Sequence, residues 1–294
     1  MDLNRYLTAR TEQVNRALDR WVPAKDCAPE TIHAAMRYSL FAGGKRIRPV
    51  LAIASAEAVR PANPGIEDAA CALELVHTYS LIHDDLPALD NDDLRRGRPT
   101  CHKVFGDAMA ILAGDALLTL AFQVLSRMDG CGAARKLRII EELAAAAGTD
   151  GGMIGGQVAD LEGEGKQPTP ERLEAIHRAK TGALLRASVR IGAIYAGATA
   201  RQLRALSRYG EHAGLAFQIV DDILDVVMPS EALGKTAGKD VSQHKITFPA
   251  VYGLERSHAM AEEQLRLAAG ALEDFGAPAE PLRRLASLIV HRKA

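Results

Sequence analysis

Apolar residues recur with the period of a helix almost from end to end of this chain, which leaves little room for any fold but an all-α one. Short alternating runs rich in Val, Ile and Thr between turn pairs, the mark of strands, are nearly absent. Gly and Pro instead cluster at intervals: Pro61 to Gly65, Gly148 to Gly156, Gly163 to Pro170 and Pro229 to Gly238. Between them we place helices near 3–20, 30–42, 49–60, 66–86, 107–128, 134–147, 151–161, 170–197, 200–227, 247–273 and 278–292. Gly43-Gly44 can end the second of these, and Pro49 suits the first turn of the third. No linker, repeat or low-complexity tract divides the 294 residues, so one domain over 1–294 is expected, a single-domain helical bundle. In such a bundle a site sits between helices and is lined by inward-facing side chains.

Composition narrows the function classes. Hydrophobic residues at 48% and charged residues at 25% are the balance of a soluble globular protein. A formal net charge of −1 offers no global attraction to nucleic acid or to an acidic membrane. Cys27, Cys71, Cys101 and Cys131 are widely spaced, with no CxxC pair, and read as reduced thiols. The N-terminal stretch MDLNRYLTARTEQVNR is charged throughout and has no apolar signal core. No apolar run approaches the roughly 18–20 residues of a membrane helix. We therefore expect a cytoplasmic, soluble protein without stable membrane anchoring and without a nucleic-acid partner.

Two acidic clusters carry the first chemical signal. One runs from His83 through Asp84-Asp85 to Asp90-Asn91-Asp92-Asp93, and the other is Asp221-Asp222-Ile223-Leu224-Asp225. An isolated acidic run is as readily a solvated helix end. Here each cluster follows an apolar helical run, ELVHTYSLI or GLAFQIV. Gln218, Asp221, Asp222 and Asp225 stand at i, i+3, i+4 and i+7, on one helical face. Acids crowded on one face repel, so a cation or a basic partner is expected beside them. Ligands that are all oxygen suit Mg²⁺, which commonly bridges a few carboxylates and substrate phosphates. Pro87 should end or kink the first helix and let Asp90 turn back toward Asp84.

Matching positive charge is arranged around these acids. Gly43-Gly44-Lys45-Arg46-Ile47-Arg48-Pro49 offers Lys45 and Arg48 three apart beside two glycines. Arg95-Arg96-Gly97-Arg98 follows the first acidic cluster, and arginine presents the fork that grips a phosphate bidentately. Lys180-Thr181 comes next, then Lys235, Lys239 and Lys245 in a Gly/Pro-interrupted loop after the second cluster. That loop could close on a phosphate as a lid. Alone, a Lys/Arg run such as Lys45–Arg48 is more often a solvated loop; taken with the acids, the basic runs point to a site for two anions and several metal ions.

At this point the motifs resemble a known family. GGKRIRP, the DDxxxxD beginning at Asp84 with RRGRP after it, GGQVADL at 155–161, KTGAL, FQIVDDILD and the closing lysine-rich stretch through Phe248-Pro249 stand in the family's order. Together they resemble the trans-prenyl diphosphate synthases, most closely the short bacterial farnesyl diphosphate synthases (geranyltranstransferases). The resemblance implies an all-α bundle around a deep apolar cavity, a homodimer, and Mg²⁺, about three ions per site with substrate bound. It implies that Asp84, Asp90 and Asp221 ligate the metal, with Asp85, Asp222 and Asp225 in or near its shell. Arg95, Lys180, Thr181, Gln218, Lys235 and Lys245 would hold the allylic diphosphate. Lys45, Arg48, His77 and Arg96 would hold isopentenyl diphosphate. Thr181 and Gln218 would face the developing cation, and Gln157 and Asp160 would support the metal side. Tyr79, with Ser80 beside it, would be the floor that limits product length, about 7.5 Å deeper along the helix than Asp84. Phe248 stands where the family commonly has Tyr and Leu89 where it commonly has Met.

Other candidates have plainer readings. His83 reads as a structural hydrogen-bonding residue at a helix end, Asp115 as a satisfied buried acid, and Lys239 as a solvated residue of its loop. Within the family the alternative is a geranylgeranyl diphosphate synthase, with the same chemistry and a longer product. A terpene cyclase would need one diphosphate site and typically carries Asn, Ser and Glu in its second metal motif, where this chain has DDILD and a second anion site in GGKRIRP. A non-catalytic scaffold or regulatory subunit tends to lose the aspartates, and both sets are present here.

Overall fold

The computed structural model describes residues 1–167, 169–228 and 246–292. The helices in chain order are α1 Leu3–Trp21, α2 Glu30–Leu40, α3 Ile47–Val59, α4 Ile66–Asp84, α5 Cys101–Phe105, α6 Asp107–Arg127, α7 Ala133–Ala147, α8 Met153–Gly163, α9 Pro170–His177, α10 Ala183–Ala196, α11 Ala200–Val227, α12 Phe248–Tyr252, α13 Leu254–Gly270 and α14 Glu280–Val290. A two-residue hairpin, β1 Leu94–Arg95 and β2 Arg98–Pro99, is the one sheet among the described residues. The expected all-α bundle is what the chain forms.

Local chemistry sets the helix starts. Asp2 accepts from the backbone of Asn4 at 2.9 Å to open α1, and Thr199 with Gln202 forms a capping box at the head of α11. Thr169 caps α9, with Pro170 in its first turn. The core is built by helices apolar nearly all round. α3 buries Val50, Leu51, Ile53 and the alanines between and after them against α10, while α4 buries Ile66 and Ala69 through Val76, packing against α6. α11 lies between α10 and α13. The inner ends of α4, α8, α10 and α11 thus converge, and the acidic clusters lie at two of those ends.

The structure departs from the sequence expectation where irregular backbone serves a local need. The stretch expected as one helix over 170–197 is interrupted by a π-turn, Arg178–Gly182, and the one over 247–273 is broken at Gly253 (φ 78°). α3 begins at Ile47, two residues earlier than expected, so Pro49 lies in the third position of its first turn. α6 corrects two expectations. It is long and apolar enough to match a membrane-spanning helix by length and composition, although it packs along α4 as a core helix. Asp115 lies on its outer face, exposed to solvent rather than buried, beside the exposed Ile111 and Leu112.

Candidate active site

The first acidic cluster is shaped by a helix end. α4 stops at Asp84, and Pro87 starts a turn in which the Asp90 amide donates to the Asp84 carbonyl at 2.8 Å. The Asp92 amide donates likewise to Asp85 at 3.1 Å, and Asn91 takes φ 49° to complete the reversal. Asp90 therefore returns toward Asp84, as the spacing required. Asp84 Oδ1 accepts from Gln157 Nε2 of α8 at 2.8 Å. Asp85 is buried and paired with Arg95, whose Nε lies 3.1 Å from Oδ1 and whose Nη2 also reaches Asp92 at 3.4 Å. Burial pushes the Asp85 carboxyl up to about 6, against the pull of Arg95.

Lys180 and Thr181 occupy the π-turn, which packs closely against α8. The approach is close enough to demand glycine: a Cβ on Gly156 would lie 2.1 Å from the Lys180 amide nitrogen. Lys180 Nζ donates to Asp160 Oδ2 at 2.7 Å. Burial alone would lower the affinity of this amine for its proton, but the charges of Asp84, Asp160 and Asp90 outweigh it and hold the ammonium form. Lys180 thereby places a second cation beside the first acidic cluster, next to Asp84 and Asp90 as Arg95 is next to Asp85 and Asp92.

The second cluster divides its work. Asp221 Oδ1 accepts from Arg292 Nη2 at 3.0 Å, and the Arg292 guanidinium stacks over Phe217 at 4.1 Å. Asp222 is buried, with Oδ1 taking Gln218 Nε2 at 2.9 Å and Oδ2 taking the Phe248 amide at 2.9 Å. His177, stacked on Phe248, lies with Nε2 3.2 Å from the same Oδ2. Asp225 is also buried. The expected shared face is thus split: Asp221 faces a cation from the C-terminal end, while Asp222 joins α11 to α9 and α12.

The other basic groups surround His77. Arg48 feels Glu74 and Asp221, while burial and Arg96 push its pKa down to about 10. Burial first, then the positive charges of Arg48, Arg96, Arg95 and Arg46, hold the His77 imidazole well below its usual value and so neutral. Arg96 donates to the Gly43 carbonyl, and a Cβ on Gly44 would lie 2.6 Å from its guanidinium. Lys45 is exposed beside them. Lys235, Lys239 and Lys245 lie outside the described residues.

Tyr79 is buried on α4 at 6% exposure, edge-on to His83, and its hydroxyl has no hydrogen-bond partner among the described residues. His83 has the structural place expected of it, with Nε2 3.0 Å from the Ile111 carbonyl of α6. Ser80 Oγ donates to the His77 carbonyl at 2.8 Å. Sequence reasoning gave no role to Arg292, His177, Arg46 or Glu74. The first two carry no local pattern, and the last two pair across 28 residues.

The arrangement brings acids from α4, α11 and the turn after α4 together with guanidinium and ammonium groups from four other segments. Among the described residues no three carboxylate, imidazole or thiol groups form a ready metal cage. Mg²⁺ commonly takes one or two carboxylates and completes its shell with water and phosphate oxygens. Asp84, Asp90 and Asp221 are oxygen-only donors of the kind such a hard cation would take. A site of this kind can hold anionic groups against developing charge on a leaving oxygen.

Comparison with known proteins agrees with this geometry. The Polyprenyl synthetase family model matches residues 29–278. Farnesyl diphosphate synthase of Geobacillus stearothermophilus is 50% identical over 268 residues, covering 90% of this chain and 88% of that protein. Geranylgeranyl pyrophosphate synthase 12, chloroplastic, of Arabidopsis thaliana is also 50% identical, over 99% of this chain and 82% of that protein. Among solved structures, polyprenyl synthase from Caulobacter crescentus, complexed with calcium and isoprenyl diphosphate, superposes with a TM-score of 0.88 at 29% identity, covering 99% of this chain and 97% of that one. By sequence, fold and the make-up of its site, the chain belongs to the polyprenyl synthetase family.

Proposed function

We propose that this prenyltransferase, which joins isopentenyl diphosphate to allylic diphosphates, stops at (2E,6E)-farnesyl diphosphate. The observation that carries the product length is Tyr79: a buried ring on α4, five residues before Asp84 and about 7.5 Å further from the acidic end. A chain growing away from a diphosphate held at Asp84 runs down α4 and meets that ring. Ser80, beside it, is small and turned onto the His77 carbonyl. A geranylgeranyl product is the alternative, with support from the Arabidopsis relative.

In this reading Asp84, Asp90 and Asp221 hold Mg²⁺, with Asp85, Asp222 and Asp225 behind them, and the bound metal supplies positive charge to the departing pyrophosphate. Arg95, Lys180 and Gln218 grip the allylic diphosphate, together with Lys235 and Lys245. Lys180 is fixed by Asp160 and stays charged, so it remains a cation as the carbon–oxygen bond breaks. Lys45, Arg48, Arg96 and neutral His77 hold isopentenyl diphosphate with its double bond near the allylic carbon. The new carbon–carbon bond forms there, and a proton leaves to the released pyrophosphate, since no side chain among the described residues stands out as a base. Thr181 and Gln218 face the cation with their dipoles, and the apolar walls of α4 exclude water. The enzyme works as a cytoplasmic homodimer, a reading supported by the exposed Ile111 and Leu112 on α6. Incubation with dimethylallyl and isopentenyl diphosphates and Mg²⁺ should give a fifteen-carbon product; a twenty-carbon product would transfer the assignment to the alternative.

A further inference from the structure

We propose that Arg46 is a positioning residue for the isopentenyl diphosphate end of the site, its guanidinium fixing the loop that carries Lys45 and Arg48. The inference rests on the reading above, that Lys45 and Arg48 hold that diphosphate. Arg46 is 4% exposed, and its guanidinium is used in three directions. Nε donates to Asn15 Oδ1 of α1 at 3.0 Å, Nη1 to Glu74 Oε1 of α4 at 2.7 Å, and Nη2 to the Leu40 carbonyl at the end of α2 at 2.7 Å. Its own carbonyl accepts from the Val50 amide at 3.0 Å and so opens α3. One side chain therefore ties α1, α2 and α4 together, and the backbone of the same residue opens α3, between Lys45 and Arg48.

The loop is one that needs such a tie. Gly43 and Gly44 have φ 98° and 118°, and Arg46 itself is left-handed at φ 49° and ψ 38°. A side chain other than glycine stays in that region only where its surroundings over-determine it. Arg96 holds the loop from the opposite side through the Gly43 carbonyl. Arg48, two residues on, has its Nε buried without a hydrogen-bond partner among the described residues. Its place is therefore set by the backbone rather than by a bond at that nitrogen. A buried ion pair such as Arg46–Glu74 is weak as a source of stability, because apolar replacement of both partners is often neutral. What the planar fork supplies, and a lysine would not, is one defined direction for three bonds.

The test compares Lys45→Ala, Arg46→Met paired with Glu74→Leu, and the milder Asn15→Ala, which removes one arm alone. Binding of isopentenyl diphosphate and of geranyl diphosphate to each full-length enzyme is read by calorimetry, beside thermal melts and both KM values. The paired variant should stay folded and bind isopentenyl diphosphate about 10–100-fold more weakly, the effect of a misplaced contact, with geranyl diphosphate changed less than about threefold. Asn15→Ala should weaken the same ligand about threefold. Normal isopentenyl diphosphate binding by the folded pair, with Lys45→Ala impaired, would overturn the positioning role and leave the site reading intact. Equal losses for both ligands would mark Arg46 as merely structural and likewise overturn it. If Lys45→Ala itself binds normally, the underlying reading falls and the inference with it. Should the pair fail to fold, Asn15→Ala decides: no selective loss overturns the role.

Discussion

Lys180 is where charge and geometry are most tightly joined, so replacing it with methionine is an informative perturbation. Methionine keeps the length of the side chain and removes the ammonium that lies 2.7 Å from Asp160 and in the field of Asp84 and Asp90. Breaking a buried pair by removing one partner commonly costs about 3–5 kcal/mol. The Lys180 side chain is 24% exposed but that of Asp160 only 11%, so the cost should lie at the low end, about 3 kcal/mol. Catalysis should suffer more. Removing one preorganised charge from a leaving-group site costs on the order of 10²–10³ in turnover. Urea melts and steady-state kinetics with geranyl diphosphate measure the two effects separately. Adding Asp160→Asn to Lys180→Met should restore most of the stability and none of the activity. Near-normal turnover in Lys180→Met, or activity recovered in the double variant, would refute the assignment of this ammonium to the allylic diphosphate.

Further outcomes follow from the same geometry. Asp84→Ala or Asp221→Ala should lower turnover on the order of 10²–10³ while the enzyme stays folded, measured at saturating Mg²⁺. Tyr79→Ala should release products of twenty carbons or more and cost about 3–4 kcal/mol in stability from the void, read by chromatography and urea melts. The folded state holds His77 below its ordinary value of 6.5, so the unfolded chain takes up a proton first as the pH falls. This contribution to stability is complete above pH 6.5 and is lost below it, up to about tenfold in the unfolding constant per pH unit. Melts at pH 7.5 and 5.5 should show His77→Gln losing less stability than the unaltered enzyme.

Much of this was legible in the sequence because the helices are long and cleanly punctuated. The return of Asp90 toward Asp84 could be read from Pro87 and the four-residue spacing, and the structure realises it with one backbone hydrogen bond. The π-turn under Lys180 could not be read, since it depends on how closely Gly156 lets α8 approach, which is a tertiary fact. Arg292 was invisible for a similar reason: its pairing with Asp221 spans 71 residues and has no local pattern. The outward placement of Asp115 was misjudged because α6 is apolar on its outer face as well, and an acid within such a helix reads as buried. The shared face of the second cluster was correct in angle but silent on partners. Gln218 on that face supplies one donor to Asp222, and only the arrival of the Phe248 amide, with His177 packed 3.2 Å away, shows that its other oxygen is also occupied by protein.

The central claim is that this site elongates an allylic diphosphate and that Tyr79 stops it at fifteen carbons. The most direct measurement is the product distribution from purified enzyme given isopentenyl and dimethylallyl diphosphates with Mg²⁺, separated by chain length after dephosphorylation. A farnesyl product is expected, with geranyl as a minor intermediate. A product mainly of twenty carbons would contradict the floor at Tyr79, and no elongated product would contradict the assignment of the site itself.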